Sequence, residues 1–513
     1  MSNKKTALII MDGWGIGEEN NKNAIHLANT PFFDKIIKEY PHTFLKASGE
    51  AVGLPEGQMG NSEIGHTTIG AGSAIDTDLV VIEKSIRDNS FFVNEAFLRL
   101  IKHVKQHDNA CIHVIGLLSD GGVHSHNTHV YAFLKMAKDQ GITGDRVVLH
   151  IFTDGRDGPG GEAKKHIAEL ETKMDELGVG VIGSFGGRYY GMDRAGNDDR
   201  IQHVIDILFN GDGNELDMMR NNICDFIQNK YDTEDPTGKI DEYFEHHLCM
   251  YDINNPYKYT IKRNDGIFFF NFRADRAKQL TKAILDKKEE LNLHFVSMTR
   301  YGEDLNTDVA FSPANIETTL GKELTKIGVK HSHISESEKF PHVTFFLNGQ
   351  SDIIQEGETQ VKIDSRTDIK THDEAPEMKA KEIVDAAIEA FKDNDFVVVN
   401  FPNADMVGHT GNVEAVIKAV EAVDRENKRL VEYIQSIGGV AFITADHGNA
   451  EVMEDDEGRV HVAHTTNLVP FIAVGLGDVT MRSEGTLADI APTVLGVFGI
   501  DQVEGMRGKS LML

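Results

Sequence analysis

The chain has 513 residues and a formal net charge of −29, with 52 basic against 81 acidic side chains. A net charge of this sign argues against a surface that binds nucleic acid or an anionic membrane. Hydrophobic residues make up 40% of the chain and charged residues 26%, which is typical of a folded protein and excludes extensive disorder. The length predicts about two to four domains with a large buried core.

The three cysteines, Cys111, Cys224 and Cys249, are far apart in sequence and indicate neither a disulfide framework nor a cysteine zinc site. The first apolar run, residues 7–11, ends at Asp12 and is too short for the core of a signal peptide. No run approaches the roughly 18 apolar residues of a membrane-spanning helix. We therefore predict a cytoplasmic protein with no membrane or nucleic-acid partner.

The predicted fold class is α/β, because short aliphatic runs alternate with segments of helical period, and many of these runs end in Gly, Asp or Asn. The predicted strands, in chain order, are residues 7–11, 110–118, 147–152, 267–271, 294–298, 343–347, 396–400 and 440–444. Residues 380–392 and 413–437 carry apolar side chains three and four positions apart. We expect both segments to be helices that cover a sheet.

The distribution of motifs predicts an inserted domain. Carboxylate and histidine motifs lie near the N-terminus and again after about residue 400, whereas arginine-rich motifs lie in the middle of the chain. The predicted boundaries place residues 1–77 and 314–513 in one domain and residues 78–313 in a second domain inserted into it. The candidate crossings are Asp76–Asp78 and Phe311–Ala314, and a proline in the second favours an extended connection. We expect the two crossings to form a hinge.

Acidic and histidine side chains follow predicted strands in the first and last parts of the chain. Asp12 follows the first strand, and Asp446 and His447 follow the strand at 440–444. The carboxyl ends of strands in α/β sheets are the usual place for ligand-binding residues. A spacing of four residues puts Asp405 and His409 on one face of a helical turn. The candidate metal ligands are therefore Asp12, Asp405, His409, Asp446, His447, His461 and His464.

A mixed set of carboxylate and imidazole ligands suits Mn²⁺, Zn²⁺ or Fe²⁺, and there are enough candidates for two ions. Each residue alone also has a structural explanation. Asp12 suits a turn before Gly13, and a single histidine is more often hydrogen-bonded or exposed than a ligand. The joint pattern nevertheless indicates a metal centre.

Ser62 is a candidate nucleophile in the glycine-rich sequence Gly-Asn-Ser-Glu-Ile-Gly-His at residues 60–66. The Gly-x-Ser-x-Gly pattern of a hydrolase elbow is absent from this sequence. A divalent ion can stabilise the serine alkoxide and make it a nucleophile toward phosphorus. Without that ion, a role in a turn or a helix cap explains the serine.

Arginines of the middle segment recur just after apolar or glycine-rich stretches, namely Arg156, Arg188, Arg194, Arg273 and Arg276. Forked guanidinium groups bind phosphate or carboxylate, so a cluster of them in an acidic protein predicts a small anionic substrate. Each arginine also has an aspartate nearby and suits a surface ion pair. We expect His124 to contact the same anion. Lys339 precedes the predicted strand at 343–347, which predicts a mobile cation near a sheet edge.

The assembled motifs resemble the cofactor-independent phosphoglycerate mutases of the alkaline phosphatase superfamily, along essentially the whole chain. The resemblance rests on Leu-Ile-Ile-Met-Asp-Gly-Trp-Gly at 8–15, Gly-Asn-Ser-Glu-Ile-Gly-His at 60–66, Ser-Asp-Gly-Gly-Val-His-Ser-His at 119–126 and Thr-Ala-Asp-His-Gly-Asn at 444–449. It implies an alkaline-phosphatase-like metal domain that carries the nucleophile and an inserted domain that binds the substrate. It also favours a monomer.

The resemblance implies two Mn²⁺ ions per chain, with Mg²⁺, Co²⁺ or Zn²⁺ as possible substitutes. The implied ligands are Asp405, His409 and His464 for one ion, and Asp12, Ser62, Asp446 and His447 for the other. His461 is then not a ligand.

The implied reaction is the interconversion of 3-phosphoglycerate and 2-phosphoglycerate in glycolysis and gluconeogenesis, through a phosphoserine at Ser62 and without 2,3-bisphosphoglycerate. Asp157 is implied as the proton shuttle that contacts the substrate hydroxyls. The implied phosphoryl contacts are Arg273, Arg276 and the catalytic Lys339, and the implied glycerate contacts are His124, Arg156, Arg188 and Arg194.

Two alternatives stay open at the level of sequence. A metal-dependent phosphatase, sulfatase or phosphopentomutase could use the same metal core, and the arginine set is the feature that distinguishes it from a mutase. A metal-binding regulatory or storage protein without catalysis belongs to a different class and predicts that Ser62 takes part in no reaction.

Overall fold

The computed structural model describes residues 4–218, 222–252, 254–312 and 316–513. Contacts within the chain divide it into two units, Met1–Thr77 with Ala314–Leu513, and Asp78–Pro313. Each unit has its own sheet, so the predicted α/β class with a second unit inserted into the first is confirmed. Pro313 and Ala314, in the second predicted crossing, lie outside the described residues.

The strands are, in chain order, β1 Thr6–Met11, β2 His42–Lys46, β3 Ile112–Leu117, β4 Gly144–Thr153, β5 Val179–Gly187, β6 Asn214–Asp217, β7 His247–Met250, β8 Gly266–Phe269, β9 His294–Ser297, β10 Asp308–Val309, β11 His331–Glu336, β12 Glu358–Ile363, β13 Phe396–Phe401, β14 Val440–Thr444, β15 Val469–Val474 and β16 Gly485–Thr486.

The α-helices are α1 Ala24–Leu27, α2 Pro31–Glu39, α3 Ser62–Ala71, α4 Asp78–Arg87, α5 Glu95–Lys105, α6 Asn127–Asp139, α7 Ala163–Leu177, α8 Arg188–Gly191, α9 Asp198–Asn210, α10 Ile223–Thr233, α11 Lys278–Leu285, α12 Lys288–Leu291, α13 Leu320–Lys326, α14 Ala380–Ala390, α15 Asn403–Gly408, α16 Val413–Ser436 and α17 Ile490–Val497. Among the described residues, no helix has the length and hydropathy needed to cross a bilayer.

The sheet of the first unit has the strand order β12-β11-β13-β1-β14-β15-β2-β16 across the described residues. Strands β11, β13, β1 and β14 run parallel to one another, so their carboxyl ends meet at one edge of the sheet, whereas β15 is antiparallel to β14. Every residue of β1, β13 and β14 is buried, which is why these strands read as continuous apolar runs rather than as alternating ones.

The sheet of the second unit has the order β10-β9-β8-β3-β4-β5-β7-β6 in the part of the chain that is described. Strands β8, β3, β4 and β5 form its parallel centre, again with their carboxyl ends at a common edge. The two sheets therefore repeat the same arrangement, in which loops at the ends of adjacent parallel strands are brought together.

The predicted strand at residues 343–347 is wrong. Residues His342–Phe346 form a π-helical turn, in which Leu347 donates its N–H to the carbonyl of His342. The place beside β13 is taken by β11, and His333 of that strand donates from Nδ1 to the carbonyl of Val343 at 2.6 Å. A short apolar run fits a buried strand and a buried helical turn equally well, so periodicity alone could not distinguish them.

Candidate metal centre and anion site

The first group of predicted site residues lies at the strand ends of the first unit. Asp12 directly follows β1, and α15, which carries Asp405, follows the adjacent β13. Asp446 and His447 follow β14 on the other side of β1. Because these three strands are adjacent and parallel, the sheet brings the three carboxylates to one edge.

Ser62 is the first residue of α3, and the side chain of Asn61 caps this helix by accepting the N–H of Ile64 at 2.9 Å. The hydroxyl of Ser62 donates to Asp12 Oδ1 at 3.3 Å and lies 2.9 Å from His447 Nε2. The side chain is buried at the amino end of the helix, where the helix dipole favours negative charge. This position suits an oxygen that becomes anionic.

Lys339 is not the mobile cation that the sequence predicted, because it is only 5% exposed. Its ammonium donates to Asp12 Oδ1 at 2.9 Å, to Asp405 Oδ2 at 2.7 Å and to Ser62 Oγ. Burial lowers the pKa of Lys339, but the charges of Asp12 and Asp405 outweigh it and raise the pKa above its usual range. The lysine is therefore a fixed positive charge beside the serine.

The carboxylates of this edge differ in their proton affinity. Burial, followed by the negative charge of Asp446, raises the pKa of Asp12. Burial also acts to raise the pKa of Asp405, but Lys339 and two neighbouring imidazoles hold it well below its usual value. The pKa of Asp446 is lowered in the same way against burial, chiefly by His447. Among the described residues, Lys339 is the one lysine that faces these three carboxylates, so the site suits additional cations.

His409 and His464 are oriented as a pair of ligands. His409 donates from Nδ1 to the carbonyl of Val462 at 2.7 Å, and His464 does so to the carbonyl of Gly60 at 2.8 Å. Both Nε2 atoms are then left as acceptors, and they lie 3.2 Å apart. Asp405 Oδ1 lies 3.3 Å from Nε2 of His409 and 3.1 Å from Nε2 of His464. Lone pairs that face one another at this distance require a proton or a cation between them, so this donor set fits a divalent metal ion.

The predicted ligands fall into two groups in the first unit. The ligand atoms of Asp405, His409 and His464 lie within 4.8 Å of one another, and so do those of Asp12, Asp446 and His447. His461 belongs to neither group and donates from Nδ1 to the carbonyl of Val452. The two groups correspond to the two ligand sets that the sequence resemblance implied, and their assignment to metals stays a prediction.

The second group of predicted residues lies at the strand ends of the second unit. His124 follows β3, Asp157 follows β4, and Arg188 directly follows β5 as the first residue of α8. Arg273 and Arg276 follow β8, which pairs with β3 on its other side. The parallel centre of this sheet therefore carries the candidate anion contacts on neighbouring loops.

Asp157 is held between the imidazole of His124 and the guanidinium of Arg188. Its Oδ2 lies 2.6 Å from His124 Nδ1, and its Oδ1 lies 2.8 Å from the guanidinium of Arg188, which also contacts Asp154 at 2.6 Å. Burial acts to raise the pKa of Asp157, but His124 and Arg188 outweigh it and lower the pKa. Asp157 is therefore an ionised, oriented carboxylate at neutral pH.

The remaining arginines leave much of their surface free. Arg194 and Arg273 are paired with Asp275 at 2.8 and 3.4 Å, and about half of each side chain stays exposed. Burial lowers the pKa of Arg276, and the positive charges of Arg188, Arg194 and Arg156 lower it further. Guanidinium groups whose positive charges lower the pKa of a neighbouring guanidinium favour the binding of an anionic ligand. Arg156 itself is paired with Glu242 at 3.2 Å.

Comparison with known proteins identifies the family. The family model of the Metalloenzyme superfamily matches residues 4–502. The chain is 44% identical to the 2,3-bisphosphoglycerate-independent phosphoglycerate mutase of Clostridioides difficile, and 42% identical to that of Acetivibrio thermocellus, over the full length of both chains in each case. The chain belongs to the family of 2,3-bisphosphoglycerate-independent phosphoglycerate mutases.

A solved structure of a phosphoglycerate mutase supports the same assignment. The enzyme from Leishmania mexicana, studied at low cobalt concentration, matches with a TM-score of 0.59 and 30% identity over 99% of this chain and 98% of that chain. The resemblance predicted from the motifs is thus confirmed, and so is the α/β class with an inserted unit.

Two residues that contact the candidate site of the first unit were not predicted from the sequence. Asn400 donates from Nδ2 to Asp12 Oδ2 at 2.8 Å, and His66 lies 3.3 Å from Asp446 Oδ2 while it contacts the carbonyl of Ser62. Asn400 ends a predicted strand and His66 lies one helical turn after Ser62. The same strand-end and helical spacing rules that selected the ligands could have found both.

Two acidic residues of the second unit were also missed. Asp154 and Asp275 hold Arg188 and Arg194, respectively. The sequence predicted only ion pairs with aspartates close by in the chain, and these two residues are distant in sequence from the arginines they hold. Asp275 orients Arg194 while about half of that side chain stays exposed, whereas the Arg188 side chain held by Asp154 is buried.

Proposed function

We propose that this phosphoglycerate mutase interconverts 3-phosphoglycerate and 2-phosphoglycerate through a phosphoserine at Ser62, without 2,3-bisphosphoglycerate as a co-substrate. The observation that carries the proposal is the environment of the Ser62 hydroxyl, which lies at the amino end of α3 beside Lys339 and 2.9 Å from His447. The names of the full-length relatives support the substrate class.

The Metalloenzyme superfamily supports dependence on divalent metal ions. The residues that would hold two ions, which we propose to be Mn²⁺, are Asp405, His409 and His464 for one, and Asp12, Ser62, Asp446 and His447 for the other. When bound, the ions would supply positive charge that favours the deprotonated serine and offsets the charge of the phosphoryl group.

In the proposed reaction, Ser62 Oγ is already deprotonated and forms a bond to phosphorus while the bond between phosphorus and the substrate oxygen breaks; the reverse transfer returns Ser62 to the same deprotonated state. Lys339 offsets the charge that develops on the phosphoryl oxygens, a role that we also propose for Arg273 and Arg276. The reverse transfer delivers the phosphoryl group to the other hydroxyl of the bound glycerate. Exclusion of water from the site would prevent loss of phosphate by hydrolysis.

The protons are proposed to pass through Asp157, while Arg188, Arg194, Arg156 and His124 hold the glycerate. The ionised carboxylate of Asp157 takes the proton from the hydroxyl that becomes phosphorylated and returns it to the oxygen that has lost its phosphoryl group. No proton is gained or lost over the cycle. The contact with His124 at 2.6 Å and the bond from Arg188 fix the orientation that this exchange requires.

Phosphorus NMR tests the proposed function. Metal-depleted protein is incubated with 3-phosphoglycerate, with and without added Mn²⁺ and in the absence of 2,3-bisphosphoglycerate. We expect 2-phosphoglycerate with little free phosphate, and only when Mn²⁺ is present. Release of phosphate without 2-phosphoglycerate would indicate a phosphatase instead, and full conversion after verified metal removal would contradict the metal-dependent mechanism.

Replacing Asp157 with asparagine is expected to reduce turnover by about 10³-fold, because the amide cannot accept the proton of a substrate hydroxyl. The substitution keeps the size of the side chain, so the fold should be retained. Steady-state kinetics of Asp157→Asn measure the effect, and Asp286→Asn, an exposed position of the same unit, is the matched control. Equal turnover of the two variants would exclude Asp157 as the proton shuttle.

The affinity for Mn²⁺ is expected to fall as the pH is lowered from 8 to 6, by about tenfold or more. The hydrogen bond to Asp405 raises the pKa of His409, and the same carboxylate raises the pKa of His464 against burial. These imidazoles therefore hold protons to a higher pH in the metal-free protein, and Mn²⁺ must displace them. Mn²⁺ titrations at each pH measure the trend, with His461→Gln as the control. An affinity that does not change over this range would contradict the ligand assignment.

A further inference from the structure

Glu451 is a buried carboxylate that accepts hydrogen bonds from four donors. It is 2% exposed. Its Oε2 accepts the backbone N–H groups of Gly15 at 3.2 Å and of Asn449 at 2.8 Å. Its Oε1 accepts the hydroxyl of Thr465 and the side-chain amide of Asn467, the latter at 3.0 Å. All of these donors are neutral, and no lysine, arginine or histidine of the described residues forms an ion pair with this carboxylate.

Three glycines make room for the side chain of Glu451. A Cβ atom at Gly15 would lie 2.3 Å from its carboxyl carbon, one at Gly17 would lie 2.9 Å from its Cγ, and one at Gly448 would lie 2.3 Å from its Oε1. Any larger residue at these positions would displace the carboxylate. Gly15 and Gly17 of the sequence Gly-Trp-Gly-Ile-Gly, and Gly448 of Asp-His-Gly-Asn, are therefore explained by the close approach of one side chain.

The segments that Glu451 joins are those that carry the proposed metal ligands. The first follows Asp12, the second contains Asp446 and His447, and the third contains His464. These residues belong to both ligand groups. Glu451 therefore connects the two halves of the metal centre through hydrogen bonds to backbone and side-chain donors, although it belongs to neither ligand group itself.

Asn449 extends the same network to the remaining carboxylate. Its N–H is shared between Glu451 and the carbonyl of Gly13, and its side-chain amide donates to Asp405 Oδ1 at 3.1 Å. That oxygen of Asp405 is the one that both imidazoles of the first ligand group face. A change at Glu451 would thus be transmitted through Asn449 to the carboxylate of Asp405, which belongs to the ligand group of His409 and His464.

We propose that Glu451 is a positioning residue for the metal centre, which holds the loops after β1 and β14 and the segment before β15 at the spacing that two divalent ions require. The proposal rests on the metal centre of the proposed function. Residues that orient metal ligands commonly change metal affinity by about 10-fold to 100-fold when they are replaced. We expect an effect of this size on the binding of Mn²⁺.

The chemistry of the four donors makes glutamine a poor substitute for Glu451. A carboxylate offers an acceptor oxygen to each pair of donors, whereas an amide offers one oxygen and one NH₂ group. In Glu451→Gln, the NH₂ group would face either the two backbone N–H groups or the hydroxyl and amide donors. This isosteric change therefore leaves buried donors without an acceptor and loosens one of the two connections.

The test compares Mn²⁺ binding by full-length, metal-depleted protein, followed by the electron paramagnetic resonance signal of free Mn²⁺. The wild-type protein should bind two ions per chain, and Glu451→Gln should bind them 10-fold to 100-fold more weakly. Glu457→Gln, an exposed glutamate six residues further along, should bind as the wild type does. Amide hydrogen exchange of metal-free Glu451→Gln should be faster either at Gly15 and Asn449 or in the segment of Thr465 and Asn467, according to which of the two connections is lost.

A second variant covers the case in which Glu451→Gln does not fold. Thr465→Val removes one donor and leaves the carboxylate, and should weaken Mn²⁺ binding less, by about tenfold. Unchanged Mn²⁺ affinity in a folded Glu451→Gln variant, or in Thr465→Val when the first does not fold, would overturn the inference. Failure of the wild-type protein to bind Mn²⁺ would instead remove the proposed metal centre itself, so the two failures are distinguishable.

Discussion

Replacing Ser62 with alanine should abolish the mutase reaction, with a loss of turnover of at least about 10⁴-fold. The hydroxyl is the proposed nucleophile, and no other hydroxyl is expected to replace it beside Lys339 and His447. The side chain is small and buried at the first position of α3, where Asn61 provides the helix cap, so the variant should keep its fold. Turnover of 3-phosphoglycerate in the presence of Mn²⁺ measures the effect.

The control for this variant is Ser436→Ala, at an exposed position at the end of α16. It should retain wild-type turnover. In Ser62→Ala, the ligand groups of Asp405, His409 and His464 remain complete, so binding of one Mn²⁺ ion should persist. A Ser62→Ala protein that still converts 3-phosphoglycerate at a rate near that of the wild type would contradict the phosphoserine mechanism.

Replacing Lys339 with methionine should affect both stability and turnover. The metal-free variant should lose about 3–5 kcal/mol of unfolding free energy, because the buried carboxylates of Asp12 and Asp405 lose the cation between them. Turnover should fall by about 10²–10³-fold, because charge on the phosphoryl group is no longer offset by the lysine. Urea unfolding with and without Mn²⁺ measures the first effect, and steady-state kinetics measure the second.

The unfolding free energies of metal-free and Mn²⁺-bound Lys339→Met should differ more than those of the wild type. Mn²⁺ is repelled by the lysine and attracted by the carboxylates, so added Mn²⁺ should stabilise the variant by a larger amount than it stabilises the wild type. Lys418→Met, an exposed position on α16, should match the wild type in both states. Equal stability of metal-free Lys339→Met and the wild type would show that the lysine does not balance these carboxylates.

The site residues that come directly after predicted strands could be predicted from the sequence. Asp12, Asp446 and His447 each come directly after a short apolar run, and the adjacent parallel strands β1 and β14 bring them together as expected. Arg188 directly follows β5, but this strand was not predicted because its sequence is rich in glycine, and the arginine was selected only as one that follows a glycine-rich stretch. Local pattern is informative here because a buried parallel strand has a simple apolar signature and a defined end.

The environment of Lys339 could not be predicted, because it depends on long-range packing. A lysine between glutamate and phenylalanine is predicted to be exposed. The π-helical turn that follows Lys339 has the apolar composition of a strand, so it was predicted as one. Its burial is possible only because two carboxylates, more than sixty residues away along the chain in each direction, reach its ammonium. Glu451 was missed for the same reason, since its four partners come from three separate segments.

The most direct test of the account is to locate the phosphoryl group on the enzyme during turnover. Wild-type protein with Mn²⁺ is mixed with 3-phosphoglycerate, quenched in acid within the first turnovers, digested and analysed by mass spectrometry. We predict one phosphoryl group on the peptide that contains Ser62, and none in Ser62→Ala. Turnover to 2-phosphoglycerate with the phosphoryl group on another residue, or with no phosphorylated peptide under conditions that preserve phosphoserine, would contradict a phosphoserine intermediate at Ser62.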